Sequence, residues 1–225
     1  MQRRAIEERR RFAEDVIKIL LKKYRNSTKT FLRSRNVTEL LVAAMLSPQC
    51  TDRQVNKATK ALFKRFRSID DYANANIKTI QSYLRSLNYY KTKARNLRRA
   101  AQIIVKDYGG IVPGSMKDLM NLPGIGRKVA NVIMNEGFGR AEGIAIDTHC
   151  ITVSNRLGLA RSRDPAVIER SLMAILPKRY WGVASNLLIA LGRDTCRARK
   201  KECYRCVLRD ICPSSNARAE AGISK

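Results

Sequence analysis

Apolar residues recur along most of this chain at the three-to-four-residue spacing of amphipathic α-helices, with polar residues between them. The pattern predicts a long charged helix over Arg3–Tyr24, in which Val16, Ile17 and Leu20 share one apolar stripe. Further helices are predicted over Val37–Leu46, Asp52–Phe66, Ile69–Leu87 as two short helices, Lys91–Tyr108, Ser115–Met120, Arg127–Glu136, His149–Leu157, Pro165–Leu176 and Tyr180–Leu191. No stretch alternates apolar and polar residues with the β-branched content of a strand, so an all-α protein of many short helices is expected.

Local signals mark several of the helix ends. Asn36 stands where an N-cap is expected, and Ser47-Pro48 ends the helix that follows it, because the residue before a proline avoids helical backbone angles. Gly109-Gly110 is a typical C-terminal stop, and Asp164-Pro165 is a typical helix start. The chain shows no internal repeat and no low-complexity segment apart from the polar tail Ser214–Lys225.

The charge of the chain restricts its partners. Its 225 residues carry a formal net charge of +26 at pH 7, which points to a polyanion, with nucleic acid as the leading candidate. A solvated basic surface, a membrane-surface protein and a ribosome-associated protein remain alternatives. No apolar run approaches the roughly 18 residues of a spanning helix, and the N-terminus lacks the apolar core of a signal peptide, so a cytoplasmic, soluble protein without a membrane partner is expected.

A glycine-rich hairpin, Leu122-Pro123-Gly124-Ile125-Gly126, joins two of the predicted helices. Its glycines permit a tight turn, and its bare backbone amides, together with the start of the next helix, could hold a phosphate without reading sequence. The alternative is an ordinary helix–helix connection. The large positive charge of the chain favours the phosphate-binding interpretation.

Two ionisable residues follow the hairpin. Lys128 lies in the first turn of the next predicted helix, where the positive end of the helix dipole disfavours an ammonium and favours a free amine, as a nucleophile requires. The alternative is a solvated surface lysine. Asp147 precedes the helix that contains His149, the only histidine, and it could serve as an N-cap while still presenting a carboxylate oxygen to a neighbouring site.

Four of the six cysteines are clustered, in the pattern Cys196-x6-Cys203-x2-Cys206-x5-Cys212. In a reducing compartment they are metal ligands rather than disulfides, and four thiolates suit either zinc or an iron–sulfur cluster. The spacing does not decide between the two metals. Arg199 and Lys200 belong to a basic loop between the first two cysteines, which we expect to reach DNA phosphates.

The segment LPGIGRKVANVI, the Ile-Asp-Thr-His of residues 146–149 and the cysteine pattern together resemble the endonuclease III family of base-excision DNA glycosylases. The resemblance covers nearly the whole chain. It implies a helix-hairpin-helix glycosylase fold with two helical domains that flank a DNA-binding cleft. One would be a six-helix barrel over residues 30–140, and the other would combine residues 1–29 with residues 141–225 and carry the cluster.

The resemblance also implies residue roles. Lys128 would be the nucleophile, Asp147 the catalytic carboxylate, and the four clustered cysteines the ligands of a [4Fe–4S] cluster. The segment Leu46–Asp52 matches the family segment whose glutamine fills the gap left in the duplex, which makes Gln49 the candidate.

The second DNA-inserting loop departs from the family pattern. Leu87-Asn88-Tyr89-Tyr90 matches the loop that wedges between bases, with Leu87 and Tyr89 as contact residues. The family often has an apolar residue after a glycine where this chain has Tyr89 after Asn88. A further departure is Leu191, where many relatives carry a histidine.

The implied function is a bifunctional glycosylase and AP lyase. It would remove oxidised pyrimidines of the thymine glycol type from duplex DNA, would nick the strand by β-elimination through a lysine Schiff base, and is expected to act as a monomer. A monofunctional thymine, uracil or adenine glycosylase is the nearest alternative, and the presence of Lys128 argues against it. A non-enzymatic DNA-binding module would need neither Lys128 nor Asp147.

Overall fold

The structure, a computed structural model, describes residues 2–216, with side chains from residue 6 onward. Its α-helices are α1 (Gln2–Lys23), α2 (Val37–Leu46), α3 (Asp52–Arg65), α4 (Ile69–Asn74), α5 (Ile77–Leu84), α6 (Tyr90–Tyr108), α7 (Met116–Met120), α8 (Arg127–Val132), α9 (Thr148–Arg156), α10 (Pro165–Ile175) and α11 (Trp181–Asp194). Over residues 2–216 there is no strand, and the one β-type contact is an isolated bridge between Cys196 and Lys201. The all-α prediction is therefore confirmed. Most of the predicted tail, from residue 217 onward, lies outside the described residues.

The chain divides into two compact units. One contains residues 30–142, and the other contains the residues up to 29 together with those from 143 onward. The second boundary, after residue 142, falls two residues later than the boundary after residue 140 that was expected from the sequence. Among the described residues, no helix is both long and apolar enough to cross a membrane.

The unit of residues 30–142 contains α2 to α8, and α4 and α5 pack against the long α6. Its core is apolar, with Leu41, Leu62 and Leu97 fully buried. The helix starts follow from local capping: Asn36 accepts a hydrogen bond from the backbone N–H of Glu39 at 2.9 Å, as predicted. Gly109 ends α6 with a left-handed φ of 59°.

The same unit contains the largest departure from the predicted helix boundaries. The helix expected over Arg127–Glu136 is α-helical only to Val132 and continues as a π-helical turn over Ile133–Gly137. A Cβ at Gly137 would lie 3.2 Å from Cδ2 of Leu40, so the glycine allows this turn to pack closely on α2. Tertiary packing therefore sets the end of α8.

The other unit contains α1 and α9 to α11, and α11 packs on α9 and α1. Val16, Ile17 and Leu20 are fully buried, which confirms the apolar stripe predicted for α1. The last residue of α11, Asp194, accepts hydrogen bonds from the Tyr24 hydroxyl at 2.9 Å and from Nη2 of Arg205 at 2.7 Å. These contacts fix the segment after α1 and the cysteine loop to the end of α11.

Candidate functional site

The hairpin between α7 and α8 is anchored by its apolar residues and shaped by its glycines. The side chains of Leu122 and Ile125 are buried in the core of their unit and are not exposed to a ligand. They anchor the hairpin, and its backbone is the part that can contact a ligand. Gly124 has a left-handed φ of 84°, and a Cβ there would lie 3.0 Å from Cβ and Nδ2 of Asn96 on α6. At Gly126 nothing lies within 4 Å of a Cβ position, so the backbone before α8 is open. The hairpin therefore presents exposed backbone on a rigid support.

Lys128 is the second residue of α8 and is exposed. Within residues 6–216, its ammonium group has no hydrogen-bond or ion-pair partner. The neighbouring Val129 is buried and Ala130 donates its N–H to the carbonyl of Gly126 at 3.0 Å, so the backbone that carries the lysine is fixed. The amine is thus free to contact a ligand.

Asp147 is the N-cap of α9, as the sequence predicted. Its Oδ1 accepts a hydrogen bond of 2.8 Å from the backbone N–H of Cys150, and the carboxylate also interacts with the Cys150 thiol. The preceding segment is fixed as well, because the Ser185 hydroxyl on α11 donates to the carbonyl of Ala145 at 2.5 Å. The capping hydrogen bond therefore sets the orientation of the carboxylate.

Two neighbours of Asp147 on α9 have structural roles. Cys150 is fully buried, and this burial raises the pKa of its thiol to about 12, so the residue stays a neutral thiol. His149 packs against Gly192 so closely that a Cβ there would lie 2.9 Å from its Nδ1. The imidazole thus serves the packing of α9 on α11.

The two predicted DNA-inserting loops differ in exposure. Gln49 and Tyr89 are exposed, Tyr89 by 65%, and both have left-handed φ angles, of 56° and 57°. Leu87 is only 3% exposed and belongs to the core. The Leu87 side chain therefore anchors the loop in the core, and Tyr89 is the residue that projects from the loop. Asn88, which the sequence marked only as a departure from a family glycine, donates a hydrogen bond to the backbone carbonyl of Gln49.

The four clustered cysteines line one cavity in the loop after α11. These cysteines are Cys196, Cys203, Cys206 and Cys212. Arg156 and Lys201 are also among the lining residues. In the described residues, no three His, Cys, Asp or Glu side chains are placed so that they could hold a metal ion. Arg199 and Lys200 are exposed in the loop between the first two cysteines.

Arg156, near the end of α9, holds this loop. Its Nη1 donates to the carbonyls of Cys196 and Arg197 at 3.1 and 2.9 Å and lies 3.4 Å from the Cys196 sulfur, while Nη2 donates to the carbonyl of Ala198 at 2.8 Å. No sequence pattern indicated this role, because Arg156 is one of 45 basic residues. The contact joins the loop to the helix that Asp147 caps.

The four thiol groups of this cavity are a donor set that suits an anionic metal cluster, although they are not arranged to bind a single metal ion. Burial raises the pKa of the Cys206 and Cys212 thiols, so their thiolates need positive charge nearby. Metal ions supply such charge directly, and Arg156 and Lys201 offset the net negative charge of a thiolate-bound cluster. The backbone N–H of Leu208 also donates to the Cys206 sulfur at 3.5 Å.

The all-α fold and the glycine hairpin match a known class of protein. Residues 42–178 match the HhH-GPD superfamily of base excision DNA repair proteins, so the chain is a helix-hairpin-helix repair protein. It is 39% identical to the endonuclease III of Synechocystis sp. over 95% of this chain and 97% of that protein. Over 84% of this chain and 87% of the relative, it is 40% identical to the endonuclease III of Bacillus subtilis.

Solved structures agree with these relatives. One is a trapped endonuclease III–DNA covalent intermediate in an estranged-adenine complex, which is 36% identical to this chain. The match covers 93% of this chain and 98% of the other, with a TM-score of 0.86. The chain belongs to the endonuclease III family of base excision DNA repair enzymes. The resemblance recognised from the hairpin, the Ile-Asp-Thr-His segment and the cysteine spacing is thereby confirmed.

Proposed function

We propose that this endonuclease III-family enzyme removes oxidised pyrimidines from duplex DNA and then nicks the strand as an AP lyase, with Lys128 as nucleophile and Asp147 as catalytic carboxylate. The observation that carries the proposal is the state of these two side chains: an exposed amine without a partner in residues 6–216, and a carboxylate whose orientation is fixed by its capping hydrogen bond. The covalent DNA complex of a relative 36% identical to this chain supports a covalent mechanism.

The proposed reaction needs a nucleophilic amine. The lone pair of the Lys128 amine attacks C1′ of the damaged nucleotide, and the base leaves with the electrons of the glycosidic bond. Opening of the sugar ring then gives a Schiff base between Lys128 and C1′. Loss of a proton from C2′ expels the 3′ phosphate, which is the β-elimination that nicks the strand. The rigid start of α8 fixes the backbone that carries Lys128 through both steps.

The proposed role of Asp147 is electrostatic. Positive charge develops on the sugar as the base departs, and a fixed carboxylate stabilises it without reorganising. The same group can accept a proton from Lys128 before attack. The hydrogen bond that it accepts from the Cys150 N–H holds the carboxylate in one orientation for either task.

Access to C1′ requires the damaged nucleotide to leave the base stack, which costs a few kcal/mol and costs least for lesions that pair poorly. Gln49 and Tyr89 are exposed and can occupy the resulting gap. The backbone of Gly124 and Gly126 and the basic pair Arg199 and Lys200 would hold the phosphates. The enzyme would act in the compartment that contains the DNA.

The cysteine cavity is proposed to hold a [4Fe–4S] cluster through its four cysteines, which would order the loop that carries Arg199 and Lys200. When bound, the cluster supplies a rigid cross-link between the two ends of this loop. Iron and sulfide in equal amounts in the purified protein are expected, and stoichiometric zinc without sulfide would assign the cavity to zinc instead.

Borohydride trapping tests the nucleophile. A duplex with an abasic site should give a covalent protein–DNA adduct with the wild-type chain and none with Lys128→Ala. Lys106→Ala, which removes another exposed lysine of the same unit, should trap like wild type. Wild-type trapping by Lys128→Ala would remove the lysine from the mechanism.

Lesion duplexes test the substrate and separate the alternatives. Duplexes with thymine glycol, uracil, mismatched thymine, mismatched adenine and an abasic site are incubated with and without subsequent alkali. Cleavage of the thymine glycol and abasic duplexes without alkali is expected. A monofunctional glycosylase would release a base but would nick the strand only after alkali, whereas a DNA-binding module would release no base and would nick none of these duplexes without alkali.

A further inference from the structure

The two loops that carry Gln49 and Tyr89 are joined by a direct hydrogen bond. Nδ2 of Asn88 donates to the backbone carbonyl of Gln49 at 2.7 Å, across 39 positions of sequence. Because the bond ends on the backbone, it fixes where the Gln49 side chain begins without occupying its amide group. The amide of Gln49 therefore remains free to contact DNA.

A second contact fixes the next residue of the same loop. Nζ of Lys93, in the first turns of α6, lies 3.0 Å from the Cys50 sulfur. Lys93 is only 8% exposed, which is rare for a lysine, and the buried ammonium is directed at this loop. Two donors from the segment 88–93 thus hold two consecutive residues of the Gln49 loop.

The backbone on both sides of the Asn88 bond is strained. Gln49 and Tyr89 are the two non-glycine residues with left-handed φ in the described part of the chain. Such angles are unfavourable for residues with a Cβ and persist only where the surroundings impose them, commonly at ligand-binding sites. The Asn88 side chain bonds to the carbonyl of Gln49, and Asn88 itself immediately precedes Tyr89. The bond therefore links the two strained positions.

We infer that Asn88 is a positioning residue, which holds Gln49 and Tyr89 as one preformed double wedge for the gap left by the flipped nucleotide. This inference rests on the proposed function. Two independent mobile loops would lose conformational entropy on entering the duplex, and preformed loops avoid most of that loss. Flipping then costs less, and base excision from duplex DNA becomes faster.

The test compares Asn88→Ala with Asn74→Ala. Asn74 is also exposed and also donates from Nδ2 to a backbone carbonyl, that of Asp70 at 3.0 Å, but within its own helix. Asn88→Ala should slow single-turnover base excision from a lesion duplex about 2- to 10-fold, the value of one net hydrogen bond. The fluorescence rise of 2-aminopurine placed beside a stable abasic analogue, which reports unstacking, should fall as well. Asn74→Ala should change neither.

Single-stranded abasic DNA separates positioning from a general structural effect, because it leaves no gap to fill. Borohydride trapping on this substrate should be the same for Asn88→Ala and wild type, and an equal loss on both substrates would overturn the inference. The inference would also be overturned if the 2-aminopurine fluorescence rise with Asn88→Ala equalled that with the wild-type protein. A wild-type chain that traps no DNA would instead refute the proposed function.

A double-mutant cycle tests the coupling itself. If Asn88 acts by positioning Gln49, then Asn88→Ala should slow excision little further in a Gln49→Ala background. Fully additive losses in Gln49→Ala/Asn88→Ala would show that the two residues act independently and would overturn the inference.

Discussion

Oδ1 of Asp147 accepts a 2.8 Å hydrogen bond from the backbone N–H of Cys150, which makes the proposed catalytic carboxylate the N-cap of α9. A single side chain thus begins a helix and carries the charge that the reaction requires. The structural role determines the geometry of the chemical one, because the capping bond sets the orientation of the carboxylate. The two roles can be separated, since asparagine caps a helix about as well as aspartate but carries no charge.

Asp147→Asn is expected to keep the fold and lose most of the activity. The capping oxygen remains, so the melting temperature should stay close to that of wild type. Single-turnover base excision should fall by roughly 100-fold or more, because fixed charge at a reacting centre is among the largest catalytic contributions. Asp147→Ala should lose the cap as well, at about 1 kcal/mol of stability.

Asp164 provides the matched control for this comparison. It caps α10 in the same unit, accepting from the Ala166 N–H at 2.8 Å, and has no proposed chemical role. Asp164→Ala should cost a similar free energy of unfolding while base excision stays at the wild-type rate. If Asp147→Asn also excised at the wild-type rate, the carboxylate would have no part in the mechanism.

The two hairpin glycines should respond differently to alanine. Gly124→Ala places a Cβ at a φ of 84° and 3.0 Å from Asn96, so it should destabilise the protein by about 1–3 kcal/mol in urea unfolding. Gly126→Ala meets nothing within 4 Å and has an ordinary φ of −91°, so stability should change by less than about 0.5 kcal/mol.

DNA binding by Gly126→Ala then tests the phosphate site. The added methyl group would stand on the backbone expected to receive a phosphate, so the dissociation constant measured by fluorescence anisotropy should rise several-fold on damaged and undamaged duplexes alike. Wild-type affinity in a stable Gly126→Ala variant would mean that no phosphate approaches this position.

Much of the fold could be predicted because its signals are local. Val37–Leu46 was predicted with both ends correct, since Asn36 and the Ser47-Pro48 pair mark them in the sequence itself. Capping also identified Asp147, whose hydrogen-bond partner is only three residues away. Such features depend on neighbours along the chain, and the sequence displays those directly.

What could not be predicted depends on partners distant in sequence. Asn88 and Gln49 are 39 positions apart, and neither residue type implies the other. The helix after the hairpin ends in a π-helical turn whose Gly137 packs on Leu40, a contact between distant elements. Leu87 has the composition expected of a wedge, and only the folded core shows that it is buried.

Replacement of Arg156 should loosen the cysteine loop. Arg156→Lys keeps the charge but loses the planar fork that reaches three carbonyls of the loop, from residues 196, 197 and 198. With the proposed iron–sulfur cluster in the cavity, iron release to a chelator should become several-fold faster, while the matched change Arg170→Lys, on an exposed position of α10, should leave it unchanged. Equal release rates for all three proteins would show that the loop is held by its metal alone.

The basic surface should make DNA binding strongly dependent on salt. If six or more phosphates are contacted, the association constant should fall by roughly 10³-fold or more between 50 and 200 mM salt, because each contact releases condensed counterions. Arg199→Ala and Lys200→Ala should each reduce the slope of the logarithm of the association constant against the logarithm of the salt concentration by about 0.9. The reduction should be the same on damaged and undamaged duplexes, because phosphate contacts carry no base information. An unchanged slope in both variants would place the cysteine loop away from the DNA, and a flat response in the wild-type chain would mean that its net charge of +26 serves another partner.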